Sequence, residues 1–232
     1  MAAMSEPLSA AASGTVPDPS TAPPSYVVVL PVKPPHRGKS RLVGVPDEAR
    51  VELAAAFALD TVTACLATPR VEAVLVATDD ARFSSALRAI GAPCIPDGTG
   101  GDLNATLRET AAEARRRWPH LRPVTVCADL PCLRPEDLGA ALRELEEFGG
   151  GPAFVADAAG FGTSCYLAPH ERFDPRFGGA SRQAHLDAGA VELSGALTTL
   201  RRDVDDLVDL RAAADLGVGS HTRRVLDALA LF

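Results

Sequence analysis

Y-V-V-V-L-P-V-K, residues 26–33, decides the fold. Tyr26–Val32 is a continuous apolar run with no polar alternation, and such a run suits a strand buried on both faces of a parallel sheet. Working outward, the loop Lys33–Pro46 is polar, and Asp47–Leu66 then places Val51, Leu53, Ala54, Phe57, Ala58 and Val62 at helical spacing, with Asp47 positioned to cap the start. Val71–Ala77 reads as a second strand. Thr78-Asp79-Asp80 forms a loop and cap before a short helix through Ile90, and Cys94–Ile95 begins a third strand.

The same alternation continues along the chain. A Gly- and Asp-rich segment, Pro96–Asp102, leads into a helix from Leu103 to Trp118, and Val124–Ala128 is the next buried strand. Pro135-Glu136-Asp137 opens a helix, with proline in the first turn and acids at the positive end of the dipole. Ala153–Ala156 and Thr163–Leu167 are strands, a helix lies near Arg182–Ala188, a short strand around Ala190–Leu193, and a final helix runs from Asp205 to Leu216. Strands and helices in this order predict an α/β fold of three layers, a mostly parallel, Rossmann-like sheet flanked by helices. Ligands then belong at the carboxyl ends of the strands, which is where Lys33, Asp129 and Asp157 fall.

The 232 residues suffice for one well-cored domain, read as 25–232, preceded by a disordered tail, 1–24, of Ala, Ser, Pro and Thr. That tail has neither a cationic start nor an apolar run, and no later segment reaches a spanning length, so a cytoplasmic chain without a membrane partner is expected. A net charge of -7 and the lack of a basic face argue against nucleic acid as a partner. Five cysteines at irregular spacing read as reduced thiols, and Cys127 and Cys132 lack the second pair that a zinc site needs. A monomer or a homodimer fits the composition equally.

Of the 23 basic side chains only Lys33 and Lys39 are lysines, and both sit in one loop. A compact, mobile ammonium follows a polyphosphate, where the arginine fork fixes one geometry. Lys33, Lys39 and Arg41 are therefore the candidate catalytic cations over a triphosphate. Gly38-Lys39-Ser40 imitates a P-loop, but the required earlier glycine is replaced by Lys33, and the helix begins later, after Pro46.

A nucleoside triphosphate brings Mg2+, which takes few carboxylates and keeps waters and phosphate oxygens. Asp129, at a turn stiffened by Pro131, is the first candidate ligand. The second comes from Arg202-Asp203-Val204-Asp205, where Asp203 and Asp205 share a side in an extended segment; one could bind metal while the other caps the following helix. Gly160-Phe161-Gly162-Thr163 and Phe177-Gly178-Gly179-Ala180-Ser181 each set backbone N–H groups beside a hydroxyl, the equipment for an anion, although both also suit plain turns. His185 reads as structural, and no nucleophile constellation is present.

In order, L-P-V-K with G-K-S-R-L, Gly-Asp-Leu-Asn at 101–104, A-D-L-P-C-L at 128–133, the loop from Asp157 to Thr163, F-G-G-A-S at 177–181 and R-R-D-V-D-D-L at 201–207 resemble the guanylyltransferases of deazaflavin coenzyme F-420 biosynthesis. The resemblance runs from about Val27 to Thr222. It implies a nucleotidyltransferase-like fold and transfer of GMP from GTP to a phosphorylated three-carbon acid with loss of pyrophosphate. Arginine in place of lysine suits a GC-rich bacterial genome, which favours phosphoenolpyruvate over 2-phospho-L-lactate. The resemblance further implies that Thr163, Gly178 and Ser181 contact the acid and that Asp129 and Asp203 bind Mg2+. Where the family has Gly-Thr-Gly-Thr, this chain has Phe161 in place of the first hydroxyl, a change that bears on the shape of the acid pocket. A molybdopterin guanylyltransferase is the nearest alternative, although its glycine-rich start is missing; a nucleotide-binding regulatory module without turnover is the other.

Overall fold

A computed structural model describes residues 23–34 and 41–231. Lys39 and the expected tail up to residue 22 lie outside the described residues. Seven strands form one sheet: β1 (Tyr26–Pro31), β2 (Val71–Ala77), β3 (Cys94–Ile95), β4 (Arg122–Val126), β5 (Ala153–Ala156), β6 (Thr163–Leu167) and β7 (Val191–Glu192). Their order across the sheet is β3-β2-β1-β4-β6-β5-β7. The pairs β1 with β2, β1 with β4, β2 with β3 and β5 with β7 are parallel, and β6 alone runs against its neighbours. Because β6 is reversed, its first residue, Thr163, lies at the edge where β4 ends.

Among the described residues the seven α-helices are α1 (Asp47–Leu66), α2 (Ala81–Ala89), α3 (Leu103–Arg117), α4 (Pro135–Glu147), α5 (Ser181–Asp187), α6 (Leu207–Leu216) and α7 (Ser220–Ala228). The apolar run of β1 is divided between two cores, as side chains alternate across a strand. Val28 and Leu30 pack with Val62 of α1, Leu87 of α2 and Leu142 of α4 on one face. Val27 and Val29 pack with Leu107 and Ala111 of α3 on the other. Both faces of the sheet are thus covered, and the expected three layers are present.

A third core lies outside α1, where Leu53 and Phe57 meet Leu210 of α6 and Leu226 of α7. Helix α7 is an addition to the sequence reading, whose final helix ended at Leu216 within a domain running to residue 232. Its first-turn N–H groups are satisfied from a distance: the buried Asp60 carboxylate of α1 accepts from His221 N–H at 3.0 Å and from Thr222 N–H at 2.8 Å. A Cβ on Gly219 would fall 2.3 Å from Asp60 Cγ, so only glycine allows that approach.

Two expected caps are corrected. Pro46, not Asp47, is the N-cap of α1, and Asp47 sits inside the first turn as a dipole-matched acid. Helix α6 is capped by Asp206 in a capping box with Asp209, so neither Asp203 nor Asp205 is consumed as its cap.

Candidate active site

The carboxyl ends of β1, β3 and β4 open on a cavity of about 340 Å³, whose wall includes Lys33, Asp97, Thr106, Cys127, Asp129 and Phe177. Lys33 lies two residues beyond the end of β1 and is exposed to this space. Arg41, at the other end of the lysine loop, carries an exposed guanidinium that meets Asp205 Oδ2 at 3.1 Å. The described ends of the loop therefore reach the cavity and the acidic segment 203–205 respectively.

That segment is fixed to the sheet by backbone. Val204 N–H donates to the Asp129 carbonyl at 3.0 Å, and Ala158 N–H donates to the Arg201 carbonyl at 2.8 Å. Three loops, those after β4 and β5 and the one before α6, are thereby sewn together, and each contributes an aspartate. The Asp203 carboxyl is pushed up to about 7, first by burial and then by the like charges of Asp129, Asp157 and Asp205. Asp129 and Asp203 are brought together as the sequence reading expected. Among the described residues no three His, Cys, Asp or Glu side chains form a ready metal cage. Asp157 has a second duty, since its Oδ1 accepts from Phe161 N–H at 3.1 Å and its Oδ2 from Gly162 N–H at 2.8 Å. It shapes the β5–β6 turn from within.

The Phe161 ring is 74% exposed, so the aromatic replacement projects outward from the turn. Thr163 is 5% exposed and lines neither cavity, while Gly178 and Ser181 line a second space of about 510 Å³ that shares Phe177 with the first. The buried His185 connects Thr163 to this loop. Its Nε2 accepts from Arg176 N–H at 2.9 Å, and burial pushes the imidazole down to about 4, so the ring is neutral and the proton resides on Nδ1. Nδ1 lies 3.0 Å from Thr163 Oγ1, and the ring also bonds the Ser181 backbone, so His185 ties Thr163 to the start of α5.

Asn104 holds the same loop from the other side. Its Nδ2 donates to the Phe177 carbonyl at 2.9 Å, and its Oδ1 accepts from Phe177 N–H at 2.8 Å. The sequence places Asn104 in a family-like segment without revealing this clamp, because its partner lies 73 residues away.

No protein-family model matches the chain. It is 45% identical over 203 residues to the phosphoenolpyruvate guanylyltransferase of Streptomyces coelicolor, covering 86% of this chain and 95% of that one. To the phosphoenolpyruvate guanylyltransferase of Thermomonospora curvata it is 44% identical over 200 residues, covering 85% and 87%. Among solved structures, a nucleotidyl transferase from Methanothermobacter thermautotroptrophicus superposes with a TM-score of 0.56 at 19% identity, covering 83% of this chain and 97% of that one. A 4-diphosphocytidyl-2C-methyl-D-erythritol synthase gives 0.55 at 13% identity, covering 83% and 99%; these two likenesses concern the fold alone. Near-complete coverage at such identity to the curated relatives settles the family: the chain belongs to the phosphoenolpyruvate guanylyltransferases.

Proposed function

We propose that this chain transfers GMP from GTP to phosphoenolpyruvate, releasing pyrophosphate, as a step in the making of deazaflavin coenzyme F-420. One observation carries the reading: Asp129 and Asp203 crowd together at the strand ends beside a lysine-lined cavity, and a glycine-rich loop with Ser181 opens next to it.

Two anionic reactants must meet. The phosphate of the acid is already ionised at neutral pH, so no general base is needed. One of its oxygens forms a bond to the α-phosphorus of GTP in line, the bond from that phosphorus to the bridging oxygen of the β-phosphate breaks, and pyrophosphate leaves with the electron pair. The chain's share is positioning and charge. Lys33, together with Lys39 and Arg41 from the same loop, offsets the triphosphate charge. Thr163, Gly178 and Ser181 hold the acid; Thr163, which lines neither cavity, is joined to the loop of the other two through His185.

The donor set fits Mg2+. A carboxyl pushed up to about 7 by burial and then by neighbouring carboxylates is relieved by a divalent cation, and Asp129 with Asp203 is the small oxygen share that Mg2+ takes. When bound, the ion supplies positive charge to phosphate oxygens during transfer.

The test offers purified protein GTP and Mg2+ with phosphoenolpyruvate, 2-phospho-L-lactate or 3-phospho-D-glycerate in separate reactions. Each conjugate is identified by mass and pyrophosphate is measured. A guanosine diphosphate conjugate of phosphoenolpyruvate is the expected product, and its absence alongside a conjugate of another acid would reassign the substrate.

A further inference from the structure

The first cavity extends beyond Lys33 to the end of β3, where Asp97 stands. This residue is fixed on every side but one. Its N–H donates to Asp79 Oδ1 at 2.9 Å, and its Oδ1 accepts from the Thr99 hydroxyl at 2.8 Å and also from the hydroxyl of the buried Thr106. Thr106 and Thr99 lie 2.6 Å apart, oxygen to oxygen, so the group is a closed triangle built around one carboxylate oxygen. Oδ2 takes no hydrogen bond among the described residues, and no described cation pairs with Asp97. The carboxylate nevertheless forms part of the cavity wall, with Leu103 and Leu107 beside it.

A charged oxygen held rigidly in a partly apolar wall asks for N–H donors from a ligand. Nucleobases differ in what they can offer. Guanine presents two adjacent donors, N1–H and the 2-amino group, whereas adenine presents a donor next to a lone pair that a carboxylate repels. Position agrees with chemistry: along the strand ends the sequence is Asp97 at β3, Lys33 at β1, Asp129 at β4 and Thr163 at β6. A nucleotide with its phosphates at Lys33 and Asp129 lays its base toward Asp97 and away from Thr163.

We infer that Asp97 is the residue that selects guanine, its free Oδ2 accepting from N1–H and the 2-amino group of GTP. The Thr99 and Thr106 hydroxyls are positioning groups that hold the carboxylate in that orientation. The inference rests on the proposed use of GTP and assigns the base subsite within it. A site built to bind donors discriminates against an analogue lacking one, because its own polar atom is left unpaired.

Inosine triphosphate, which lacks only the 2-amino group, is the probe. For the unaltered chain, kcat/KM with GTP should exceed that with ITP by about 30-fold, the value of one hydrogen bond to a charged acceptor. Asp97→Asn keeps an oxygen for the two threonines and turns an amide N–H2 toward the base. It should lower kcat/KM for GTP by about 100-fold, mainly through KM, and bring the ratio of GTP to ITP near 1. A merely structural role would lower both nucleotides equally and preserve the ratio, and that result, or equal use of GTP and ITP by the unaltered chain, would overturn the assignment. Calorimetric binding of GTP and ITP in Mg2+ separates this inference from the reaction it rests on. Preference for GTP that is lost in Asp97→Asn, without any phosphoenolpyruvate conjugate, would remove the proposed acid and leave Asp97 as the guanine reader. Conjugate formation with no base preference would do the reverse.

Discussion

The two ends of the sheet treat charge in opposite ways. At the amino ends of the strands, Tyr26 opens β1, Arg70 precedes β2 and Glu146 lies in the last turn of α4. Tyr26 OH donates to Glu146 Oε1 at 2.8 Å, Arg70 Nη1 donates to Glu146 Oε2 at 3.0 Å, and the Arg70 guanidinium lies 5.5 Å from the centre of the Tyr26 ring. Burial drives the Glu146 carboxyl up, but the hydrogen bonds from Arg70 and Tyr26 outweigh it and hold the group below its usual value. At the carboxyl ends the corresponding group is Asp203, which burial pushes up to about 7 with the help of neighbours of its own sign, and which has no cation among the described residues to offset the burial as Arg70 does for Glu146. One end has matched its charges; the other keeps a surplus of negative charge, which under the proposed function a divalent cation would offset. Such unbalanced electrostatics mark a working site and cost stability there.

The comparison breaks most sharply at Asp129. Asp129→Asn should lower pyrophosphate release by about 1,000-fold or more at saturating Mg2+ while leaving the thermal unfolding curve close to that of the unaltered chain. Undiminished release would remove Asp129 from the metal role and with it the view that the carboxyl ends are electrostatically incomplete.

Asp203→Asn should separate function from stability. Turnover should fall by about 100-fold, yet the cation-free protein should become more stable at high pH. An unfolded aspartate has a pKa of about 3.9, whereas the folded value here is about 7, so between these limits the folded chain binds the extra proton. Stability contributed by that group is therefore present at low pH and lost as pH rises through the window. Asn carries no such dependence. The variant's advantage should be absent near pH 4, grow to about 2 kcal/mol above pH 7 after allowance for solvent screening, and shrink when Mg2+ is added to both proteins. Parallel melting curves across that range would show that the carboxylates do not oppose one another.

At the amino ends the expectation is reversed. Glu146→Ala leaves Arg70 and Tyr26 without their shared acceptor and should cost about 2 kcal/mol, a fall in Tm of about 6 °C, with kcat unchanged. A drop in kcat at full folding would mean that the two ends are coupled through the sheet.

How much of this was legible beforehand differs by the range of the interaction. Strands β2, β5 and β6 and helix α1 have the predicted bounds, because a short β-prone run between turn residues or a 3.6-residue repeat is a local signal. Asp129 and the pair Asp203/Asp205 were candidates on local grounds, but the choice of Asp203 followed from a resemblance, since the 73 intervening residues carry no periodicity that joins it to Asp129. Helix α7 escaped because its cap, Asp60, belongs to α1, over 160 residues earlier. The reversal of β6 was equally hidden, as a five-residue strand buried throughout carries no local mark of its direction. Asp97 looked like one more residue of a Gly- and Asp-rich loop, and only its triangle with Thr99 and Thr106 distinguishes it.

Asn104 gives the smallest effect and the finest test of the contrast, because it is a piece of the carboxyl end constructed as the amino end is, with both arms of its amide satisfied by Phe177. It carries no charge to a substrate. Its value lies in holding the loop whose Gly178 and Ser181 face the second cavity, and Phe177 meets the His185 ring edge-on at 5.6 Å, between that loop and Thr163. Asn104→Ala removes two hydrogen bonds, each worth about 1 kcal/mol. Part of that loss should appear as loop freedom, so the KM for the acid should rise about 5-fold while the KM for GTP and the pH profile stay in place. An equal rise in both KM values would mean that Phe177, which borders both cavities, has shifted as a wall common to the two substrates, and the division of the carboxyl end into a nucleotide side and an acid side would have to be withdrawn.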